Sequence, residues 1–347
     1  DERYLCATPQ ERLFRRGRWE EGVLPQFAVS RAERQQYRRF HELMEHFKRR
    51  VDGHRRAFAL PMALSSDAAD LQALDRVNMR DWLLAQGLDS PHLHWYVDYA
   101  CRDDFGTSSA ATSAWAGVHY FACRNGEAQD AASDTVLTTP GGNAWLVEGL
   151  ERLIRERAGQ RILTSAVAVK VSESDEGMIV DLWLVAEKRS LRVVAEQLIW
   201  AAPLFLVPHV FDTAQSLREA ARGFSYAPWI VANLTVAHFP MPQAGADLAW
   251  DNVLYDSPGL GYVVSTHQQM RLHPQASVLT YYRVLSQMSP AEGRALLLTN
   301  SRAAWAEQVF ADLERAHSDI RQITTRLDIF RNPHAMIRPS PGLTWGP

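Results

Sequence analysis

Thr138-Thr139-Pro140-Gly141-Gly142-Asn143-Ala144-Trp145-Leu146 opens the stretch whose reading decides the fold, and Leu198-Ile199-Trp200-Ala201-Ala202-Pro203 closes it. Pro140 and the glycine pair make a turn, and Asn143 stands where it can cap a helix. Leu146, Leu150, Leu153 and Ile154 recur at three- and four-residue spacing, so that helix has one apolar face. The next segment alternates, with Ile162, Val167, Val169 and Val171 on one side and Ala168 and Lys170 between them. Asp175-Glu176-Gly177 turns the chain, Met178 to Glu187 returns as a strand, and Leu191 to Trp200 makes a third. Ala201 and Ala202 are small and Pro203 stops the strand. The unit is α/β, and its Gly, Ala and Pro ends let backbone approach a flat ligand closely.

The rest of the chain suits such a unit. Its 347 residues allow a large core and two domains. With 46% hydrophobic and 22% charged residues it reads as an ordinary globular protein, and a net charge of −3 argues against a general polyanion binder, so no nucleic-acid partner is expected. Eleven Trp and ten Tyr fit a protein that encloses an aromatic or apolar ligand, or one whose core is simply filled by large rings. No run of 18 apolar residues exists to span a membrane. Cys6, Cys101 and Cys123 lie far apart without Cys-x-x-Cys spacing, which fits reduced thiols in a cytoplasmic protein and leaves export open.

Tyr4 to Leu24 reads as a hairpin around Arg16-Gly17. Ser30 caps a long helix through Val51, with Tyr37, Phe40, Leu43, Met44 and Phe47 on its apolar face. Its basic face is interleaved with Glu33, Glu42 and Glu45, so a solvated surface is favoured over nucleic-acid contact. His41 and His46 are five apart and cannot share a metal, and His92 and His94 sit at a helix start after Ser90-Pro91. Asp67 to Leu88 reads as two short helices and Leu93 to Cys101 as another. Polar residues then concentrate in Arg102-Asp103-Asp104, and a small-residue helix follows from Ser108 to Tyr120. After Pro203, aromatic-rich strands near Ile230 to Val236, Leu248 to Tyr255, Gly261 to Thr266 and Val278 to Leu285 pair into an antiparallel sheet that floors a pocket. Helices over Ala291 to Leu297 and Arg302 to His317 and a strand over Thr325 to Phe330 complete the reading.

The order Pro-Gly-Gly, helix, three strands, Ala-Ala-Pro resembles the middle of the flavin-containing amine oxidase and phytoene desaturase superfamily. The block Asp98 to Gly106 followed by Ser113 to Phe121 looks like the substrate domain of a bacterial subgroup of flavin-dependent oxidoreductases; packing around an ion pair between Arg102 and the aspartates is the alternative. The resemblance implies an α/β fold with α+β mixing: a partial FAD/NAD(P)-binding, Rossmann-like domain interleaved with a substrate domain of antiparallel sheet plus helices. Residues 1–135 and 209–322 would form the substrate domain, residues 136–208 the FAD portion, and residues 323–347 a return towards it. It further implies non-covalent FAD and a small amine-bearing or apolar substrate. Gly141 and Gly142 would lie near the flavin end of the cleft, Val167 or Ala168 near the adenine, and Ala202 and Pro203 near the dinucleotide. By residue type, His119, Tyr120, His267, Tyr282 and His334 are the catalytic candidates.

Three departures shape the expectation. The dinucleotide fingerprint Gly-x-Gly-x-x-Gly is absent, and Gly259-Leu260-Gly261 opens no helix. The chain begins at Asp1 and stops at Trp345-Gly346-Pro347, which together read as a fragment with an exposed apolar surface. The lysine that amine oxidases commonly place near the flavin corresponds to Val231. Two rivals therefore stand beside the oxidase: a non-catalytic flavin-fold remnant that binds a hydrophobic ligand or partner, and a carotenoid or lipid desaturase or isomerase.

Overall fold

Glu11–Arg15 (β1) and Arg18–Glu21 (β2) form the expected N-terminal hairpin, turned where Arg16 and Gly17 take φ of 52° and 74°. The computed structural model describes residues 5–6, 8–124, 138–139, 142–159, 162–212, 214–267 and 276–346. These fall into two compact units, one drawn from Asp1–Pro140 and Tyr226–Pro347, the other from Gly141–Ser225.

In the first unit, α1 (Arg31–Arg49) starts on a capping box between Ser30 and Glu33 and buries Tyr37, Phe40 and Met44. Lys48 and Arg49 pair with Glu45 on its outer, solvated face. A small hairpin, β3 (Val51–Asp52) and β4 (Arg55–Arg56), precedes α2 (Ala69–Ala73) and α3 (Met79–Ala85). Helices α4 (Pro91–Phe105) and α5 (Ala114–Ala122) then pack with α1 and α3 around Phe40, Phe58, Leu83, Val97 and Trp115.

Two boundaries differ from the sequence reading. Helix α4 runs on through the polar block to Phe105, because Gly106, at φ 64°, is the first residue suited to end it. Helix α5 begins at Ala114 rather than Ser108. Asp98 holds the Ser109 N–H and hydroxyl at 2.8 and 3.0 Å, which keeps that segment in turns. The small residues of α5 accommodate a side chain: a Cβ on Gly117 would lie 2.7 Å from Met79.

The second unit contains α6 (Ala144–Ala158), β5 (Ala166–Ser174), β6 (Gly177–Leu184), β7 (Arg189–Ala195), α7 (Val207–Val210) and α8 (Gln215–Arg222). Strands β5, β6 and β7 form an antiparallel meander. Its core is small, built on Val171, Val207, Phe211 and Ala221. The third strand ends at Ala195, so Leu198 to Pro203 lies outside the sheet. Asn143 has helical φ and ψ and makes no side-chain cap. The apolar face of α6 is exposed, Leu150 by 62%.

Back in the first unit, β8 (Tyr226–Val236), β9 (Asp251–Leu254), β10 (Gly261–Val264) and β11 (Ser277–Val284) lead to α9 (Pro290–Thr299), α10 (Arg302–Leu313), α11 (Ile320–Ile323) and β12 (Thr324–Ile337). They build a seven-stranded sheet in the order β12-β8-β11-β10-β9-β1-β2, antiparallel except where β1 meets β9. One face is sealed: Ala232, Leu234, Tyr262, Leu279 and Tyr281 pack on Val309, Leu313 and Ile320. The opposite face carries Val231, Asn233, Val263, Thr280 and Tyr282, all only partly buried. From Ile230 to Val236 and from Ser277 to Tyr282 buried and partly buried residues alternate, as in strands with one dry face.

Asp75, fully buried, ties the C-terminal residues to this unit. Its carboxylate accepts the Ser113 hydroxyl at 2.5 Å and the N–H groups of Thr344 and Trp345 at 2.9 Å each, and its carbonyl accepts Gly342 N–H. Replacing it (Asp75→Ala) leaves buried donors unpaired and is expected to cost about 3 kcal/mol. Urea denaturation would read this as a lower midpoint, with faster amide exchange at Thr344 and Trp345.

Candidate functional site

The open face of the sheet gains its chemistry from the register of β1 and β9. Arg12 and Asn252 are paired, so the preceding residues Glu11 and Asp251 are paired as well, on the opposite face. Arg12 Nε donates to Asn252 Oδ1 at 2.6 Å beneath the sheet, and Asn252 also bonds Ala249. Continuing across the strands, Asp251 is opposite Val263, Val263 opposite Thr280, Thr280 opposite Asn233 and Asn233 opposite Asp328. A polar row therefore crosses the sheet. Thr280 donates to Asn233 at 3.0 Å within it. The next row on this face holds Leu13, Val253, Gly261, Tyr282 and Val231.

Helix α4 faces the Asp251 end of that row. The Tyr99 hydroxyl donates to Asp251 Oδ2 at 3.3 Å, and the Tyr99 ring stacks on Trp95. Asp103, one helical turn further along α4, is near enough to repel Asp251. Burial first, then the negative charges of Asp103 and Glu11, push the Asp251 carboxyl up to about 8. Burial and neighbouring Asp104 raise Asp103 to about 6, and burial raises Glu11. Yet Asp103 and Glu11 remain solvent-accessible and Asp251 is only partly buried. No lysine or arginine forms an ion pair with these three carboxyl groups among the described residues, although Arg124 and Arg102 lie near enough to Asp103 to oppose its rise.

The aromatic candidates divide. Tyr282 on β11 lies beside Asp251 and Asp103, with its phenol raised by burial and then by those charges, and its ring meets Trp229 edge-on at 6.4 Å. Tyr120 on α5 also feels Asp103, and Arg124 stands 4.4 Å over its ring. The structure thus brings Tyr120 and Tyr282 to one group of carboxylates. His119 points elsewhere: its Nε2 is 2.9 Å from the Ala59 carbonyl and its ring stacks on Trp115, while burial lowers its pKa. His334 on β12 meets the Tyr226 ring at 5.8 Å, and His267 lies in the turn after β10. Glu11, Tyr99, Asp103 and Asp251 were not singled out from the sequence; the abrupt Arg102-Asp103-Asp104 block was their one local signal. Arg102 does not pair with those aspartates. It donates instead to the carbonyls of Ser257, Pro258 and Gly259.

Other polar groups have partners of their own. His92 Nδ1 is 2.7 Å from Glu33, and His94 Nε2 is 2.8 Å from the Leu88 carbonyl. Among the described residues no three His, Cys, Asp or Glu side chains are arranged to hold a metal, and no helix is long and apolar enough to cross a membrane.

The residues expected to touch FAD lie in the second unit, apart from Gly141, which is outside the described residues. Gly142 has φ 71° with open space at its Cβ position, Val167 is 51% exposed, Ala168 is partly buried, and Ala202 and Pro203 are exposed. The glycines nearest to a fingerprint are committed to the sheet: a Cβ on Gly259 would meet Tyr281 and one on Gly261 would meet the Asn252 carbonyl. Among the described residues no strand, glycine-rich turn and helix succeed one another to take a pyrophosphate. These residues alone do not fit a whole dinucleotide.

No protein-family model and no curated protein matches the chain. Solved structures do. A redesigned double mutant of putrescine oxidase aligns at 13% identity over 94% of this chain and 67% of that chain, with a TM-score of 0.65. Wild-type putrescine oxidase bound to putrescine gives 13%, the same coverages and 0.63. Cyclohexylamine oxidase from Brevibacterium oxydans gives 10% identity over 98% of this chain and 72% of that chain, with 0.62. The chain therefore has the fold of the amine oxidase superfamily that its sequence resembles, and it spans about two thirds of the putrescine oxidase chain.

The raised carboxyl makes stability depend on pH in a defined direction. A folded-state value of about 8 against the ordinary 3.8 means that Asp251 keeps its proton where the unfolded chain has lost it. Its contribution is complete below the ordinary value and is lost as pH rises through 8. Asp251→Asn should therefore gain stability relative to the unsubstituted protein between pH 5 and pH 9, as thermal unfolding across that range will show.

Proposed function

We propose that this chain supplies the substrate-binding wall of an FAD-dependent oxidoreductase that acts on a small amine. The observation that carries the reading is the group of carboxyls of Glu11, Asp103 and Asp251, without an ion-pair partner among the described residues and set among Tyr99, Tyr120 and Tyr282 on the open face of the sheet. An ammonium is attracted by the charge, and aromatic faces stabilise a cation as its water is stripped away. The fold shared with oxidases of putrescine and cyclohexylamine supports the same substrate class. The side chains described here bind and orient the amine and hold its protons.

A long apolar substrate suits this face poorly, because Asp251, Thr280, Asn233 and Asp328 cross it in one row. That disfavours the carotenoid or lipid desaturase. The non-catalytic alternative differs from the oxidase in one measurable respect, electron transfer.

The test is amine binding by this chain itself. Putrescine and cyclohexylamine should bind in calorimetric titration, more weakly at high salt because the attraction is to carboxylate charge, and failure of both amines to bind would sink the proposal. Asp103→Asn should weaken putrescine binding about tenfold, the worth of one charge-assisted hydrogen bond.

A further inference from the structure

We propose that a cleft at the C-terminal ends of β1 and β9 binds a small molecule carrying one phosphate or carboxylate group on an aromatic ring. The site goes beyond the amine reading and does not rest on it. The parallel register that pairs Glu11 with Asp251 at one end of the two strands brings Phe14 beside Leu254 at the other. There the Tyr255 N–H donates to the Phe14 carbonyl at 3.0 Å. Both strands end at this point, beside a cleft of about 350 Å³. That volume lies within the range of small-molecule pockets.

Arg15, Arg16 and Arg315 line the cleft. Arg15 is buried; it donates to Glu20 Oε1 at 3.3 Å and to the Phe27 carbonyl, and His92 Nε2 lies 3.2 Å from its Nη1. Arg315 donates from Nη1 to Asp312 at 3.2 Å and to the Asp256 carbonyl at 3.4 Å, and from Nη2 to the Tyr255 carbonyl at 2.6 Å. A guanidinium has more N–H groups than these bonds use, so both arginines are fixed in plane and keep donors in hand. Arg16 is exposed at the hairpin turn and has no hydrogen-bond or ion-pair partner among the described residues. Its charge reaches the Tyr255 phenol, as does that of Arg15.

The remaining walls fit a ring-bearing oxyanion. Phe14 and Tyr255 are aromatic, and the Tyr255 ring is held by Trp95 with centroids 4.5 Å apart, so a flat ligand finds fixed faces to stack on. His92, also in the lining, stands in the first turn of α4, which brings the positive end of that helix to the cleft. Glu20 and Asp312 already balance two of the three guanidiniums, so the cleft matches one oxyanion held by forked hydrogen bonds and not a polyphosphate held by net charge. Asp256 is the carboxylate in the lining and opposes an anion. The Tyr37 hydroxyl, near enough to Arg15 and Tyr255 to feel their charges, is buried without a hydrogen-bond partner among the described residues. The polar groups of this region are thus not closed on one another.

Calorimetric titration of the protein with phenyl phosphate, benzoate and inorganic phosphate tests the site. A ring-bearing anion should bind at one site per chain, about tenfold more tightly than inorganic phosphate because of stacking. Whichever of phenyl phosphate and benzoate binds more tightly identifies the oxyanion. Arg16→Gln, at an exposed position, should weaken that binding about tenfold, the worth of one charge-assisted hydrogen bond. Arg315→Lys, which keeps the charge and loses the fork, should weaken it as well. Asp256→Asn should tighten it, an effect that damage to the fold does not produce. No saturable binding of either ring-bearing anion, equal affinity for inorganic phosphate, affinity unchanged in Arg16→Gln, or weakening by Asp256→Asn overturns the proposal. Putrescine titration of the same protein reports separately on the amine reading.

Discussion

The bond between Arg12 and Asn252 is the constraint on which the first unit depends. It joins residues 240 positions apart, under a sheet that is otherwise antiparallel, and it sets the parallel register of β1 against β9. Arg12 is nearly buried and spends its guanidinium on Asn252, the Ala246 carbonyl and the Tyr262 hydroxyl, while its plane lies 3.8 Å over the Trp19 ring. A buried arginine is costly unless each of its donors is used. A slip of one residue would break these bonds and turn Glu11 and Asp251 into the dry face.

The two faces of the sheet have opposite energetic characters. Beneath, polar side chains bond one another among apolar ones: Asp312 accepts the Tyr281 hydroxyl at 2.8 Å and the Ser257 hydroxyl at 2.5 Å, and Tyr262 meets His317 at 2.6 Å. Such networks fix one geometry. Above, Glu11, Asp103 and Asp251 have no ion-pair partner among the described residues, and burial first, with mutual repulsion at Asp251, raises their carboxyl values. Local destabilisation held in place by a hydrogen-bonded lower layer is a pattern that binding surfaces share.

The second unit has another balance. Its meander is regular, yet its buried core is limited to a few side chains, and α6 buries none. Leu146, Leu150, Leu153 and Ile154 keep the spacing of a packing face while remaining 49%, 62%, 42% and 43% exposed. An apolar stripe of this size is solvated at a free-energy cost, so the helix is specified more by its own periodicity than by burial.

Periodicity and turn chemistry were enough to read much of this protein from its residues. The Arg16-Gly17 hairpin, the Ser30 cap, the Asp175-Glu176-Gly177 turn and the alternating strands from Tyr226 to Val284 are local patterns, set by φ, capping and side-chain period. Helix ends were less legible: α4 outran its apolar stretch until Gly106, and Asp98 held Ser109 in a turn where a helix was expected. The carboxylate group as a group could not be read. Glu11, Asp103 and Asp251 come from three distant segments, and only Asp103 stood in a block that the sequence marks out, while Glu11 and Asp251 look like ordinary surface acids. Only the parallel pairing of β1 with β9, and the placing of α4 over that end of the sheet, brings them together. The sequence by itself determined the elements and their faces, because those follow from interactions a few residues apart. Which acids meet was decided by the tertiary structure, because register and burial are properties of the assembled sheet.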